Sequence, residues 1–115
     1  MANYSDHILS GSTNGRNIKV VETASPGTLI HTAHATALDH LPLSACNTSG
    51  SSVKLTIERG GTTSPDDLME VTIPAESGWV PIDDGEAPLT GSVVTRAFAA
   101  TANVINIKGG VRRVT

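Results

Sequence analysis

Residues Ser52-Val53-Lys54-Leu55-Thr56-Ile57-Glu58-Arg59 form the clearest strand signal in the chain. Apolar side chains occupy every second position, at Val53, Leu55 and Ile57, and the positions between them are polar. Successive side chains of a strand point to opposite faces, so this period of two places the apolar residues together. The segment therefore predicts a β-strand with one face on a core.

Seven further runs are β-like and are separated by turn signals rich in Gly, Pro, Ser and Asn. They cover residues 17–22, 28–35, 38–47, 68–73, 79–82, 92–100 and 103–114. Many short strands with turns at close intervals are typical of sandwiches and barrels. The sequence therefore predicts an all-β, single-domain antiparallel β-sandwich, jelly-roll-like or immunoglobulin-like, with the strand order left open.

Proline, glycine and acidic residues mark special positions in this pattern. Pro81 predicts an edge strand, because proline has no backbone N–H to donate to a neighbouring strand. The acidic segment 83–88 is predicted as a turn. Gly109-Gly110 predicts a bulge or a bend in the last strand.

The length of 115 residues suits one domain, since most domains have roughly 100–150 residues. Residues 1–15 are polar and end in a cluster of Gly, Ser and Asn, a composition typical of loops. We therefore predict a flexible N-terminal arm over residues 1–15 and a β-sandwich domain over residues 16–115. Tyr4, Ile8 and Leu9 are the apolar residues with which the arm would bind, either to this domain or to a neighbour.

Charge and hydropathy argue against two classes of partner. The formal net charge is −3, and acidic and basic residues are interspersed. Nucleic-acid binding needs clustered Lys and Arg and is not expected. No apolar stretch approaches the roughly 20 residues that cross a bilayer, and the N-terminus does not have the pattern of a secretory signal. We expect synthesis in the cytoplasm, with no membrane partner.

Metal and cofactor sites are not predicted. His31 and His34 would point to opposite faces of a strand, and His40 lies beyond the next turn, so the three rings are not expected to converge on one ion. The acidic residues around Gly85 do not have the spacing of a calcium-binding loop.

Catalytic residues are not predicted either. Asp39 and His40 near Ser44 supply the residue types of a catalytic triad, but a triad depends on geometry, and no Gly-x-Ser-x-Gly elbow occurs. Cys46 is the only cysteine and lies in an apolar run, so we expect a buried side chain rather than a reactive thiolate. An enzyme is therefore disfavoured.

The few aromatic residues are better candidates for binding. A single Trp in a chain with only three aromatic residues more often anchors a core or an interface than a sugar ring. Trp79 and Phe98, together with Tyr4, Ile8 and Leu9, are the predicted partner-binding residues.

Three parts of the chain carry a family resemblance. They are Arg16-Asn17-Ile18-Lys19-Val20 with Gly27-Thr28-Leu29-Ile30-His31-Thr32-Ala33, then Lys54-Leu55-Thr56-Ile57-Glu58 with Gly60-Gly61-Thr62, and finally Ala102-Asn103-Val104-Ile105-Asn106-Ile107 with Gly110-Val111. In these strand and turn segments, and over most of residues 10–115, the chain resembles the head decoration (cement) proteins of tailed bacteriophages.

The resemblance implies a non-enzymatic structural protein of the virion. Such a protein is a β-sandwich or jelly-roll-like module, often a homotrimer, on the outer surface of the capsid. It stabilises the shell by binding between subunits of the major capsid protein, and the family supplies no catalytic residues. Two alternatives stay open: a head–tail connector or tail ring protein, and a carbohydrate-binding β-sandwich module.

Overall fold

A computed structural model describes residues 3–115 and confirms the predicted all-β sandwich. Two antiparallel sheets pack face to face around one core. The strands within residues 3–115 are β1 (Tyr4–His7), β2 (Ile18–Lys19), β3 (Thr28–Thr32), β4 (Leu38–Asn47), β5 (Val53–Glu58), β6 (Leu68–Ile73), β7 (Val80–Leu89), β8 (Val94–Ala99), β9 (Ile105–Gly109) and β10 (Val111–Val114). Over the same residues, no helix is long and apolar enough to cross a membrane.

Strand β4 is the centre of a six-stranded sheet, called sheet A. Strand β7 pairs with one of its sides, and β9 and β10 share the other side. Strand β2 pairs with β9, and β1 pairs with β10. Sheet A therefore places the first and the last strands of the chain side by side.

Strands β9 and β10 are one strand with a single interruption. They keep one register along β4, which runs from the pair Asn47 and Ile105 to the pair Leu38 and Val114. In that register the break at Gly110 falls opposite Pro42, which has no backbone N–H to donate. The predicted irregularity at Gly109-Gly110 is thus a gap in the hydrogen-bond ladder and not a bulge.

The second sheet, called sheet B, has the order β3-β8-β5-β6. The predicted apolar face of β5 is confirmed, because Val53, Leu55 and Ile57 are all buried. They face aliphatic side chains of sheet A in a core that contains Leu9, Ile18, Val20, Ile30, Leu41, Leu43, Ala45, Ile73, Ala97, Ala99, Ile105, Ile107 and Val111.

Strand β7 is longer than predicted and absorbs the expected acidic turn. It runs for 10 residues, and its pairing with β4 shifts register twice. One shift lies at Gly85, whose φ of 77° favours glycine. The edge position predicted from Pro81 is confirmed, because β7 pairs only with β4. The bulges keep the segment in the sheet although its sequence reads as a turn.

Residues 3–11 of the segment predicted as a flexible arm are packed on the sandwich, and residues 1–2 lie outside the described residues. Strand β1 pairs with β10, and Leu9 is only 2% exposed and belongs to the core. The Gly11 N–H donates to the Ile30 carbonyl at 2.9 Å, and the Ser10 hydroxyl accepts the Thr32 N–H at 2.7 Å. Residues 10–11 therefore cover the outer edge of β3.

The two ends of the described chain also pair with each other. The Asn3 N–H donates to the Thr115 carbonyl at 3.2 Å, and the Thr115 N–H donates to the Asn3 carbonyl at 2.9 Å. These bonds extend the ladder of β1 and β10 by one residue pair. Strand β1 is not predicted from the sequence, because all four of its residues are exposed and show no apolar alternation.

Replacing Gly11 by alanine tests whether the N-terminal segment is packed in solution. A Cβ at this position would collide with the backbone carbonyls of Leu29 and Ile30. We expect G11A to lower the free energy of unfolding in urea by about 1–3 kcal/mol. The control G50A places its Cβ in open space and should change the stability by less than about 0.5 kcal/mol. Equal stability of the two variants would show that the segment is detached.

Candidate functional site

A buried carboxylate joins the two sheets near one end of the sandwich. Asp39 alternates inward along β4 and is fully buried. It accepts two hydrogen bonds from Arg113 of β10, at 2.7 Å from Nε and 3.1 Å from Nη2. It also accepts from His31 Nε2 of β3 at 2.8 Å and from the His34 N–H at 3.1 Å. Four donors thus compensate the burial of this charge.

The hydrogen bonds of His31 fix its protonation state. Its Nδ1 accepts the Ser10 N–H at 3.0 Å, so this nitrogen carries no proton and the ring is the neutral Nε2–H form. The Ser10 hydroxyl accepts the Thr32 N–H and makes no bond to the ring. Ser10, His31 and Asp39 therefore hold the chain together and do not form a nucleophile with its base.

The partners of Asp39 determine its pKa. Burial raises the pKa of this carboxyl, but the hydrogen bonds from Arg113, His31 and the His34 N–H outweigh that effect. The net result is a pKa well below the usual value of 3.8. The hydrogen bond to Asp39 raises the pKa of Arg113 in return. Asp39 stays ionised in the folded protein and links β3, β4 and β10.

The other predicted candidates for chemistry do not converge. His34 Nδ1 accepts the Ala37 N–H, and the His40 ring donates from Nδ1 to the Gly85 carbonyl at 2.8 Å. Among residues 3–115, no group of three or more His, Cys, Asp or Glu side chains could hold a metal ion. Cys46 is half-buried on the outer face of sheet A, which differs from the predicted buried side chain. It alternates with the inward Ala45 and Asn47, a direction that the apolar run did not reveal.

A concave surface lies on the outer face of sheet A. It is a groove of about 710 Å³ that crosses β1, β10, β4 and β7. Its apolar end is a cross-strand row of Tyr4, Val114 and Leu38, in which Tyr4 is 70% exposed and Leu38 is 40% exposed. The next row consists of Asp6, Arg112 and His40. Both rows form because these residues pair on neighbouring strands and share one face.

The bulge of β7 forms one wall of the groove. Asp83 accepts the Gly85 N–H at 2.8 Å, and Asp84 accepts the Glu86 N–H at 2.9 Å. Gly85 lies so close to Pro42 that an added Cβ would approach the proline ring to 2.9 Å. The carboxylates of Asp84 and Glu86 are therefore carried on a backbone that is held in place, and both residues line the groove.

Arg59 ties this wall to the other sheet. Its Nη2 donates to the Ala87 carbonyl at 2.6 Å, and its Nε lies 3.6 Å from the Asp83 carboxylate. Because Arg59 directly follows β5, these contacts connect sheet B to the bulged part of β7. The bulged segment of β7 is thus held by Arg59 as well as by its pairing with β4.

Negative charge predominates in the groove. Asp6, Asp84 and Glu86 contribute three carboxylates, against the single guanidinium of Arg112. Within residues 3–115, the Arg112 side chain makes no hydrogen bond or salt bridge by the usual distance criteria, although Asp6 is its cross-strand neighbour. The groove therefore combines an apolar end with a charged and solvated middle.

The predicted partner-binding residues do not form one patch. Tyr4 lies in the groove, and Ile8 is exposed close to it in sequence. The prediction that Leu9 binds a partner is wrong, because its side chain is buried in the core and is not accessible. Phe98 is half-buried on the opposite sheet.

Trp79 lies at the other end of the outer face of sheet A. It is 40% exposed, and the Lys108 Nζ sits 4.6 Å from the centre of its ring. This exposure is what the carbohydrate-binding alternative expects of Trp79. The lysine occupies one face of the ring as a cation–π contact, so only the other face is left for stacking.

Several groove residues were not singled out from the sequence. From the sequence, Leu38, Val114 and Arg112 are parts of predicted strands, and Asp84 and Glu86 belong to a predicted acidic turn without the spacing of a calcium-binding loop. The pairing of β4 with β10 brings together residues 74 positions apart, such as Asp39 and Arg113. The one available signal was the alternation within 38–47, which assigns Leu38 and His40 to the face opposite Leu41 and Leu43.

Replacing Asp39 by asparagine tests the bond between the sheets. The change leaves Arg113 without its anionic partner and gives the buried site an amide that cannot accept on both sides. We expect D39N to lower the free energy of unfolding by about 3 kcal/mol, measured by urea denaturation near neutral pH. The control D66N changes an exposed loop carboxylate and should stay within about 0.5 kcal/mol of the native protein.

The pKa of Asp39 also predicts how stability depends on pH. Because this pKa is lower in the folded than in the unfolded chain, ionised Asp39 stabilises the fold at every pH above 3.8. The stabilisation disappears as the pH falls below 3.8 toward the folded pKa. Urea midpoints between about pH 6 and about pH 2 should therefore decrease more steeply for the native protein than for D39N. Parallel curves would contradict this.

Comparisons with known proteins add no relative. No protein-family model matches the chain, and neither a curated protein nor a solved structure is significantly similar to it.

Proposed function

We propose that the chain is a non-enzymatic structural protein of a phage virion. In this proposal it decorates the outer surface of the capsid as a homotrimer and stabilises the shell by binding between subunits of the major capsid protein. The observation that carries the proposal is the groove on sheet A, where exposed Tyr4 and Leu38 lie on a rigid strand surface. The virion setting and the trimer come from the sequence resemblance.

The location of the exposed apolar residues supports a binding role. Large exposed apolar side chains that share one concave surface are typical of interaction sites, whereas scattered ones are ordinary. Tyr4, Leu38 and Val114 share such a surface with each other. These side chains are carried by β-strands, so the surface is already formed before a partner binds. Binding would therefore cost little conformational entropy on this side of the interface.

The protected edges of the sheets support the same role. Residues 10–11 cover the edge of β3, and Pro81 and the bulges interrupt the edge of β7. Such devices prevent sheets of separate molecules from pairing. A protein made in many free copies before assembly needs this protection. Its binding to the shell would then depend on a sheet face, such as the groove on sheet A, and not on an open strand edge.

A modest contact per copy is sufficient for shell reinforcement. When a trimer binds through three equivalent surfaces, the second and third contacts form at high effective concentration. A groove with a few apolar residues can therefore produce tight attachment without a large interface on each chain. This reasoning favours a shell protein over a free binding module.

Counting and locating the chain in virions tests the proposal. Electron cryo-microscopy of virions from the phage that encodes it should show the chain on the outer shell, in hundreds of copies. Roughly six or twelve copies at a vertex would instead identify a connector or tail ring protein. Particles without the chain should release their DNA at a lower temperature, and equal heat resistance would refute the stabilising role.

A pair of double variants links this function to the groove. Combining Tyr4→Ala with Leu38→Ala removes apolar surface from the groove and should lower the occupancy of the shell. The control combines Val21→Ala with Leu29→Ala, two exposed apolar residues outside the groove, and should leave the occupancy unchanged. Equal occupancy for both pairs would place the contact elsewhere on the molecule.

A further inference from the structure

We infer that the groove on sheet A binds an extended segment of the partner protein in which a basic side chain follows an apolar one by two residues, on the same face. This inference rests on the proposed function and specifies the chemistry of the partner at the same surface. It follows from the distribution of charge, apolar surface and shape within the groove.

The acidic wall selects a cation. Asp84 uses one carboxylate oxygen to accept the Glu86 N–H, and within residues 3–115 its other oxygen has no hydrogen-bond partner. The Glu86 carboxylate likewise has none in that range. Asp6 on the opposite side adds a third negative charge, and the bonds around Gly85 fix the position of the wall. A Lys or Arg side chain complements this wall, whereas a phosphate or an acidic segment would be repelled.

The apolar end selects the neighbours of that cation. Tyr4, Val114 and Leu38 form a row at one end of the groove, one cross-strand row beyond Asp6, Arg112 and His40. A partner residue placed against this row must be apolar to replace the water that now covers it. The order along the groove is thus apolar and then acidic, and the partner needs the complementary order.

The shape of the groove selects an extended segment. Its volume of about 710 Å³ is large enough for several side chains and is open along the sheet. Its floor consists of paired strands whose residues facing the groove recur at every second position. An extended chain repeats its side chains on one face with the same period and can place alternate residues on successive rows.

The inference is tested with two peptides on the isolated, isotope-labelled protein. The basic probe is acetyl-Val-Thr-Lys-Thr-Arg-amide, in which Val, Lys and Arg share one face of an extended chain, and the acidic probe replaces its Lys and Arg by Glu. Amide resonances are followed by NMR during titration at low ionic strength. We expect the basic peptide to shift resonances of β1, β4, β7 and β10 in a saturable way, and the acidic peptide to leave them unchanged.

Variants separate groove binding from general attraction to an acidic protein. The double variant Asp84→Asn with Glu86→Gln removes two charges. The new asparagine can still accept the hydrogen bond from the backbone N–H of residue 86 through its Oδ1. The matched control, Asp66→Asn with Glu76→Gln, removes two exposed charges outside the groove. We expect about three- to tenfold weaker binding of the basic peptide for the groove pair and less than twofold for the control.

Each remaining outcome decides against the inference. Equal binding of both peptides, shifts that map outside the groove, no shifts at millimolar peptide, or equal weakening in both variant pairs would overturn it. If acetyl-lysine-amide bound as tightly as the basic peptide, the claim that the groove recognises an extended segment would be wrong. If the peptide test fails but virions carry the chain in many copies, the proposed function still stands. Binding of the basic peptide by a chain that virions do not contain would refute only the proposed function.

Discussion

The ionised carboxylate of Asp39 constrains much of this fold, because a charge without access to water must be matched by donors from several elements. Arg113 of β10, His31 of β3 and the backbone of His34, in the turn between β3 and β4, supply these donors. The requirement extends to Ser10, whose N–H occupies the remaining nitrogen of His31. One buried group thereby connects the two sheets at this end and, through His31, the N-terminal segment.

Local pattern predicted the elements whose one face is buried. The alternation of Val53, Leu55 and Ile57 located β5, and the apolar runs located β4 and β8, because burial on one side leaves a period of two in the sequence. Strand β1 left no such trace, since all its side chains are exposed and its place depends on backbone bonds to β10. The acidic part of β7 had turn composition, and only its pairing with β4 through two bulges makes it a strand.

The groove was beyond sequence reasoning for a different reason. Its two rows combine residues from the start, the middle and the end of the chain, and no local pattern reports which strands become neighbours. Tyr4 was predicted as an exposed anchor, and the structure adds the surroundings that give it a role: an apolar row on one side and a carboxylate wall beyond. The predicted anchor Leu9 shows the opposite case, because an apolar residue type alone does not distinguish a core from a contact surface.

The backbone pairing of Asn3 with Thr115 has a practical consequence. Polypeptide attached before residue 3 or after residue 115 would leave the molecule from one shared corner, beside the ring of Tyr4. Cargo genetically joined to either terminus would therefore emerge in the same place, and a short linker could close the chain into a ring without crossing a sheet. New termini could then be opened at the exposed Gly50 turn, far along the chain from that corner, to carry the cargo away from it.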